Sequence, residues 1–121
     1  QVIRAKQAHP EASVLVHPEC TAELIAHADA VLSTSQMARY VAESTAQTFL
    51  IGTEEGLLHR LRLENPGKTF YLISNSLICP NMKRTRLEAV VSTMEEARNL
   101  ITISDEVRLG ARQALDRMLA L

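Results

Sequence analysis

Short apolar runs recur along this chain with a stretch of helix formers between each pair, and that alternation limits the fold more than any other feature. The runs are Ser13 to Val16, Ala30 to Leu32, Thr48 to Ile51 and Thr69 to Ile73; the stretches between them are Thr21 to Ala28, Gln36 to Ser44 and Glu54 to Glu64. In the last of these Leu57, Leu58 and Leu61 form an apolar face, and "ENPGK" stops the helix with Pro66 and Gly67. Strands alternating with helices at this spacing imply βα units and a parallel sheet, an α/β fold with an α/β/α three-layer arrangement.

After Cys79 the rhythm changes. Leu87, Val90, Val91 and Met94 repeat at helical spacing from Thr85 to Arg98, "LITIS" follows, and Val107, Ala111, Ala114, Leu115 and Met118 mark a final helix capped by Ser104 or Asp105. The expected division is residues 1–12 as the end of a preceding helix or linker, 13–104 as an α/β domain and 105–121 as a C-terminal helix. The chain opens on Gln1 inside a helical-looking segment without an initiator Met, so it reads as a piece of something longer.

Composition removes several function classes. With 121 residues and 46% hydrophobic content the chain can bury one core. Its 13 basic and 14 acidic residues nearly cancel, and 3% aromatics with no Trp leave little to stack bases on, which argues against nucleic acid as a partner. Charged positions interrupt every apolar run short of the roughly 20 residues a membrane helix needs. Two widely separated cysteines do not make a disulfide framework, so a soluble protein of the reducing cytoplasm is expected.

In open parallel sheets, ligands bind beyond the carboxyl ends of the strands. Those ends here are "HPEC", "STSQ", "GTEE" and "SNSLICPN", all polar or ionisable and all expected on one edge. Taken singly, Ser33, Thr34 and Ser35 are helix caps, Glu54 a first-turn carboxylate and Asn75 a turn residue. In "HPE", His17 and Glu19 are two apart, so in extended chain both point the same way. Such a pair can share a proton, or one can orient the other for acid-base work; a solvated strand end is the plainer reading. His9, His27 and His59 have no such partner and read as surface residues. Cys20 reads as the start of a helix. Cys79 precedes Pro80, a step that recurs at iron-sulfur ligands, although one thiolate cannot hold a cluster.

The segments "HPEC", "STSQM", "GTEEGLLHRL", "ENPGKTFYLI" and "LICPNMKRT", in this order and spacing, resemble the carboxyl-terminal third of the quinolinate synthases, and the resemblance covers essentially the whole chain. It implies one of three similar α/β domains around a four-iron four-sulfur ([4Fe-4S]) cluster to which each domain gives one cysteine, leaving one iron open. It further implies a cytoplasmic enzyme of NAD biosynthesis, a transferase-type dehydrating condensation of iminoaspartate with dihydroxyacetone phosphate. L-aspartate oxidase is then the upstream supplier, and a homodimer is admitted. Carried over by the resemblance, Cys79 matches the third cluster ligand, while Cys20 matches none. His17 and Glu19 match the catalytic histidine and glutamate, which also contact substrate, and Ser33 and Thr34 match residues that hold substrate carboxylate or phosphate oxygens. Glu54 and Asn81 are placed nearby. The two other cluster cysteines are absent from this chain, so by itself it is expected to be inactive and to hold no stable cluster. The competing reading is a phosphate- or nucleotide-binding α/β module in which Ser33 to Ser35 bind an anion and Cys79 is packing; no glycine-rich phosphate loop supports it.

Overall fold

The structure, a computed structural model, describes residues 1–120. Their chain falls into two compact units, Gln1–Pro80 and a second from Asn81 onward. The first contains helix α1 (Val2–Ala8), strand β1 (Ser13–Val16), α2 (Ala22–Ile25), β2 (Ala30–Val31), α3 (Thr34–Glu43), β3 (Thr48–Gly52), α4 (Gly56–Glu64) and β4 (Thr69–Leu72). The four strands form one parallel sheet in the order β2-β1-β3-β4. All four lie within a residue of the expected runs.

Strand alternation divides the apolar side chains between two faces. Leu15, Phe49, Ile51 and Phe70 pack on one face with Met37, Ala38 and Val41 of α3 and with Leu58 and Leu61 of α4. Val14, Val16 and Leu50 pack on the other with Val2 of α1 and Ile73, and Leu24 and Ile25 of α2 close over them. The result is a three-layer α/β/α sandwich. Complete burial of side chains such as Phe49, Leu15 and Met37 contributes roughly 1.5–3 kcal/mol each to holding the layers together.

The strand order follows from which face each helix covers. The connection from β1 to β2 runs outward through α2, whereas the connection from β2 to β3 doubles back over β1 through α3. With right-handed crossovers, a reversal of direction requires the helices to lie on opposite faces, as they do. The reversal places the topological switch point between the carboxyl ends of β1 and β3.

Local contacts fix the helix ends. Lys68, just past the Pro66–Gly67 turn, donates Nζ to the carbonyls of Val41 and Ser44, neutralising the C-terminal end of α3. Helix α2 is shorter than the expected Thr21–Ala28 span, because Thr21 is its N-cap, accepting from the Leu24 amide at 3.3 Å. Cys20 therefore precedes the helix instead of starting it.

The second unit carries a 3₁₀ turn at Met82–Arg84, α5 (Leu87–Glu96) and α6 (Asp105–Leu119). Helix α5 ends at Ala97, whose φ of 49° is left-handed, two residues before Asn99 at φ 60°. Ser104 caps α6, accepting from the Val107 amide. The apolar residues of both helices, among them Leu87, Met94 and Val107, are exposed.

Candidate active site

The switch point is built from backbone contacts between two strand ends. The amide of His17, one residue past β1, donates to the carbonyl of Gly52, the last residue of β3, at 3.1 Å. Gly52 has to be glycine for space: a Cβ there would lie 2.9 Å from Cγ1 of Val16 and 3.1 Å from Cδ1 of Ile73. Beyond His17 the chain turns at once. The Cys20 amide donates to the His17 carbonyl at 3.0 Å, closing a turn with Pro18 at its second position, where a fixed φ suits it.

Within that turn the His17 ring is oriented by the main chain. The backbone amide of Glu19 donates to Nδ1 at 3.3 Å, so the neutral ring carries its proton on Nε2. The Glu19 carboxylate stands 3.7 Å from the same Nδ1, a contact that becomes an ion pair only when the ring is doubly protonated. The hydrogen bond on the ring thus comes from the Glu19 backbone and not from its carboxylate. The His17 side chain is 25% exposed and the Glu19 side chain 90%. The first is held by the main chain and the second is accessible to solvent.

Cys20 joins the same knot. Its Sγ donates to the Gly52 carbonyl at 3.2 Å, a contact that only the protonated thiol can make.

Ser33 and Thr34 sit at the start of α3, which begins at the end of β2. Ser33 is the N-cap of a complete capping box: Oγ accepts from the Gln36 amide at 3.4 Å, and Oε1 of Gln36 accepts from the Ser33 amide at 2.8 Å. The S-x-x-Q spacing carries that signal in the sequence, with Gln36 as its second member. Thr34 is the first helical residue and is exposed, at the positive end of the helix.

Glu54 follows β3, and its Oε2 accepts from the Gly56 amide at 2.7 Å at the start of α4. The Glu55 amide donates to the Leu77 carbonyl at 2.9 Å, tying the loop after β4 to the loop after β3. Cys79 lies two residues beyond that tie, a free and half-buried cysteine. Asn81 is exposed and begins the second unit. His27 and His59 are exposed, whereas His9 is tied in by stacking on Tyr71, with ring centroids 3.9 Å apart.

A four-iron cluster fits this chain only in part. Cys79 offers one uncommitted thiol, Cys20 is occupied at Gly52, and among the described residues no three His, Cys, Asp or Glu side chains gather as a metal site. The remaining thiolates would have to come from outside residues 1–121.

Residues 1–120 match the family model NadA, described as quinolinate synthetase A protein. The chain belongs to the quinolinate synthetase A family. Relatives named quinolinate synthase include those of Thermodesulfovibrio yellowstonii, 49% identical over 120 residues, Geotalea uraniireducens, 48%, and Methanoregula boonei, 50%. Each alignment takes in 99% of this chain and 40% of the relative, so the chain spans about two-fifths of the length of the curated quinolinate synthases it matches. Among the described residues, no helix is long and apolar enough to cross a membrane.

Proposed function

We propose that the whole protein is a cytoplasmic quinolinate synthase, condensing iminoaspartate supplied by L-aspartate oxidase with dihydroxyacetone phosphate, and that this chain contributes an acid-base pair, an anion-binding helix start and one cluster thiolate. The observation that carries the proposal is the switch point, where the His17–Gly52 contact sets an oriented imidazole and an accessible carboxylate at the strand edge of a family member. An anion-binding module without catalysis gives no reason for that pair.

Loss of water from a condensed intermediate requires a base at a carbon-bound proton and a donor at the departing or charge-bearing oxygen. Glu19, whose carboxylate is exposed, takes the proton. His17, holding its proton on Nε2, donates to oxygen, and its Nδ1 is already engaged, so the donating edge does not rotate away. Thr34, beside the α3 N-terminus, donates to a substrate carboxylate or phosphate oxygen, with Ser33 holding the helix start that presents it. Cys79 would hold the cluster together with cysteines outside this chain; when bound, a three-thiolate cluster supplies a Lewis-acidic iron with an exchangeable position.

Anaerobic reconstitution of the full-length protein with iron and sulfide tests the thiolate assignment. Cys79→Ser is expected to lose the cluster absorption and bound iron, and Cys20→Ser to keep both. Equal iron content in the two variants would remove Cys79 from the ligand set.

A further inference from the structure

The thiol of Cys20 has no part in the chemistry described above, yet it is spent on a single main-chain acceptor. The Gly52 carbonyl receives two donors, the His17 amide at 3.1 Å and Cys20 Sγ at 3.2 Å, which uses both of its lone pairs. The Cys20 amide in turn closes the loop on the His17 carbonyl. His17 and Cys20, the two ends of the "HPEC" turn, are therefore pinned to the same atom of β3, and Glu19, whose amide orients the His17 ring, lies between them.

We propose that Cys20 is a positioning residue for the reaction: its S–H···O contact with Gly52 holds the far end of the turn, and through the turn it keeps the Glu19 amide on Nδ1 of His17. The inference rests on the quinolinate synthase reading for its kinetic consequence, but its structural content stands apart from it. Without the thiol donor, the His17 amide is the turn's one remaining hydrogen bond to Gly52, beside its own Cys20–His17 closure and the packing of Cys20 against the core. The Glu19 amide and carboxylate then swing about Pro18, and the imidazole loses the contact that keeps its proton on Nε2. A thiol is a weak donor, so little stability is at stake; placement is what changes.

The test compares wild-type full-length protein with Cys20→Ala and Cys20→Ser. In the infrared difference spectrum of wild type against Cys20→Ala, the S–H stretch is expected at lower frequency than that of a free thiol. ¹⁵N spectra of the His17 imidazole should show one dominant Nε2–H tautomer in wild type and a mixture in Cys20→Ala. Turnover of Cys20→Ala should fall about tenfold with KM nearly unchanged, since small misplacements of reacting groups cost on the order of 10-fold to 10²-fold. Cys20→Ser keeps a donor on a shorter bond and should recover most of that loss. A free-thiol stretching frequency, or a Cys20→Ala protein whose His17 tautomer and kcat match wild type, overturns the proposal. If wild type forms no quinolinate, the reaction reading fails by itself, and the S–H band and the His17 nitrogen signals still decide whether Cys20 positions the turn.

Discussion

The backbone amide of Glu19 donates to Nδ1 of His17 at 3.3 Å, so one residue provides both an accessible carboxylate and the main-chain contact that sets its neighbour's proton. In the proposed reaction the two side chains take separate tasks. The expected consequence is visible without substrate: ¹⁵N spectra of histidine-labelled full-length protein should place the His17 proton on Nε2 when the ring is neutral. A dominant Nδ1–H form would mean that the ring is set by some other partner, and the donor role of Nε2 would have to be abandoned.

Ser33 and Thr34 are adjacent and chemically alike, yet their substitutions should differ in kind. Ser33→Ala removes the capping-box acceptor and should lower stability by about 1 kcal/mol in denaturant unfolding. Thr34→Ala touches no cap and should leave unfolding nearly unchanged. It should instead weaken substrate binding by roughly 1.5–3 kcal/mol, the range for a hydrogen bond to a charged group. Unaltered substrate affinity in Thr34→Ala would take Thr34 out of the anion site.

Asp29 secures the edge of the sheet beneath the site. Its Oδ2 accepts from the amide of Val14 at 2.7 Å, and its own amide donates to the Val14 carbonyl at 2.9 Å, while Lys6 Nζ reaches the same oxygen at 3.3 Å. Val14 is fully buried, so Asp29→Ala leaves its amide without an acceptor and should cost about 1–3 kcal/mol. Asp29→Asn keeps an acceptor for that amide and removes only the charge of the half-exposed Lys6 pair, so it should cost about 0–1 kcal/mol. Equal losses from the two would show that the charge pair, and not the buried amide, secures β1.

Much of the frame was legible because burial imposes period and composition. Ser13–Val16 and Thr48–Gly52 are apolar on both faces, the mark of a central parallel strand covered by helices on each side. "ENPGK" ended α4 as its turn chemistry requires. The start of α2 differs from the expected one because Thr21 and the run after it are both acceptable to a helix, and only the Thr21–Leu24 contact decides between cap and interior. Strand order was not legible at all, since it depends on which helix crosses which face. The same holds for the role of Gly52, a main-chain carbonyl that no residue-type pattern records. The spacing of His17 and Glu19 suggested two side chains on one face of extended chain; the chain instead turns directly after His17, and the contact of the Glu19 amide with the ring follows from that turn and not from the spacing.

In the proposed function, the β1/β3 strand edge of this family member does acid-base chemistry on the way to quinolinate. The most direct measurement is quinolinate formed from iminoaspartate and dihydroxyacetone phosphate by anaerobically purified full-length protein, quantified by mass spectrometry for wild type beside Glu19→Gln. Wild type should produce quinolinate, and Glu19→Gln, which keeps shape and loses the proton acceptor, should turn over about 10²-fold or more slowly while still binding substrate. No quinolinate from the wild-type protein, or equal turnover by the two, would contradict it.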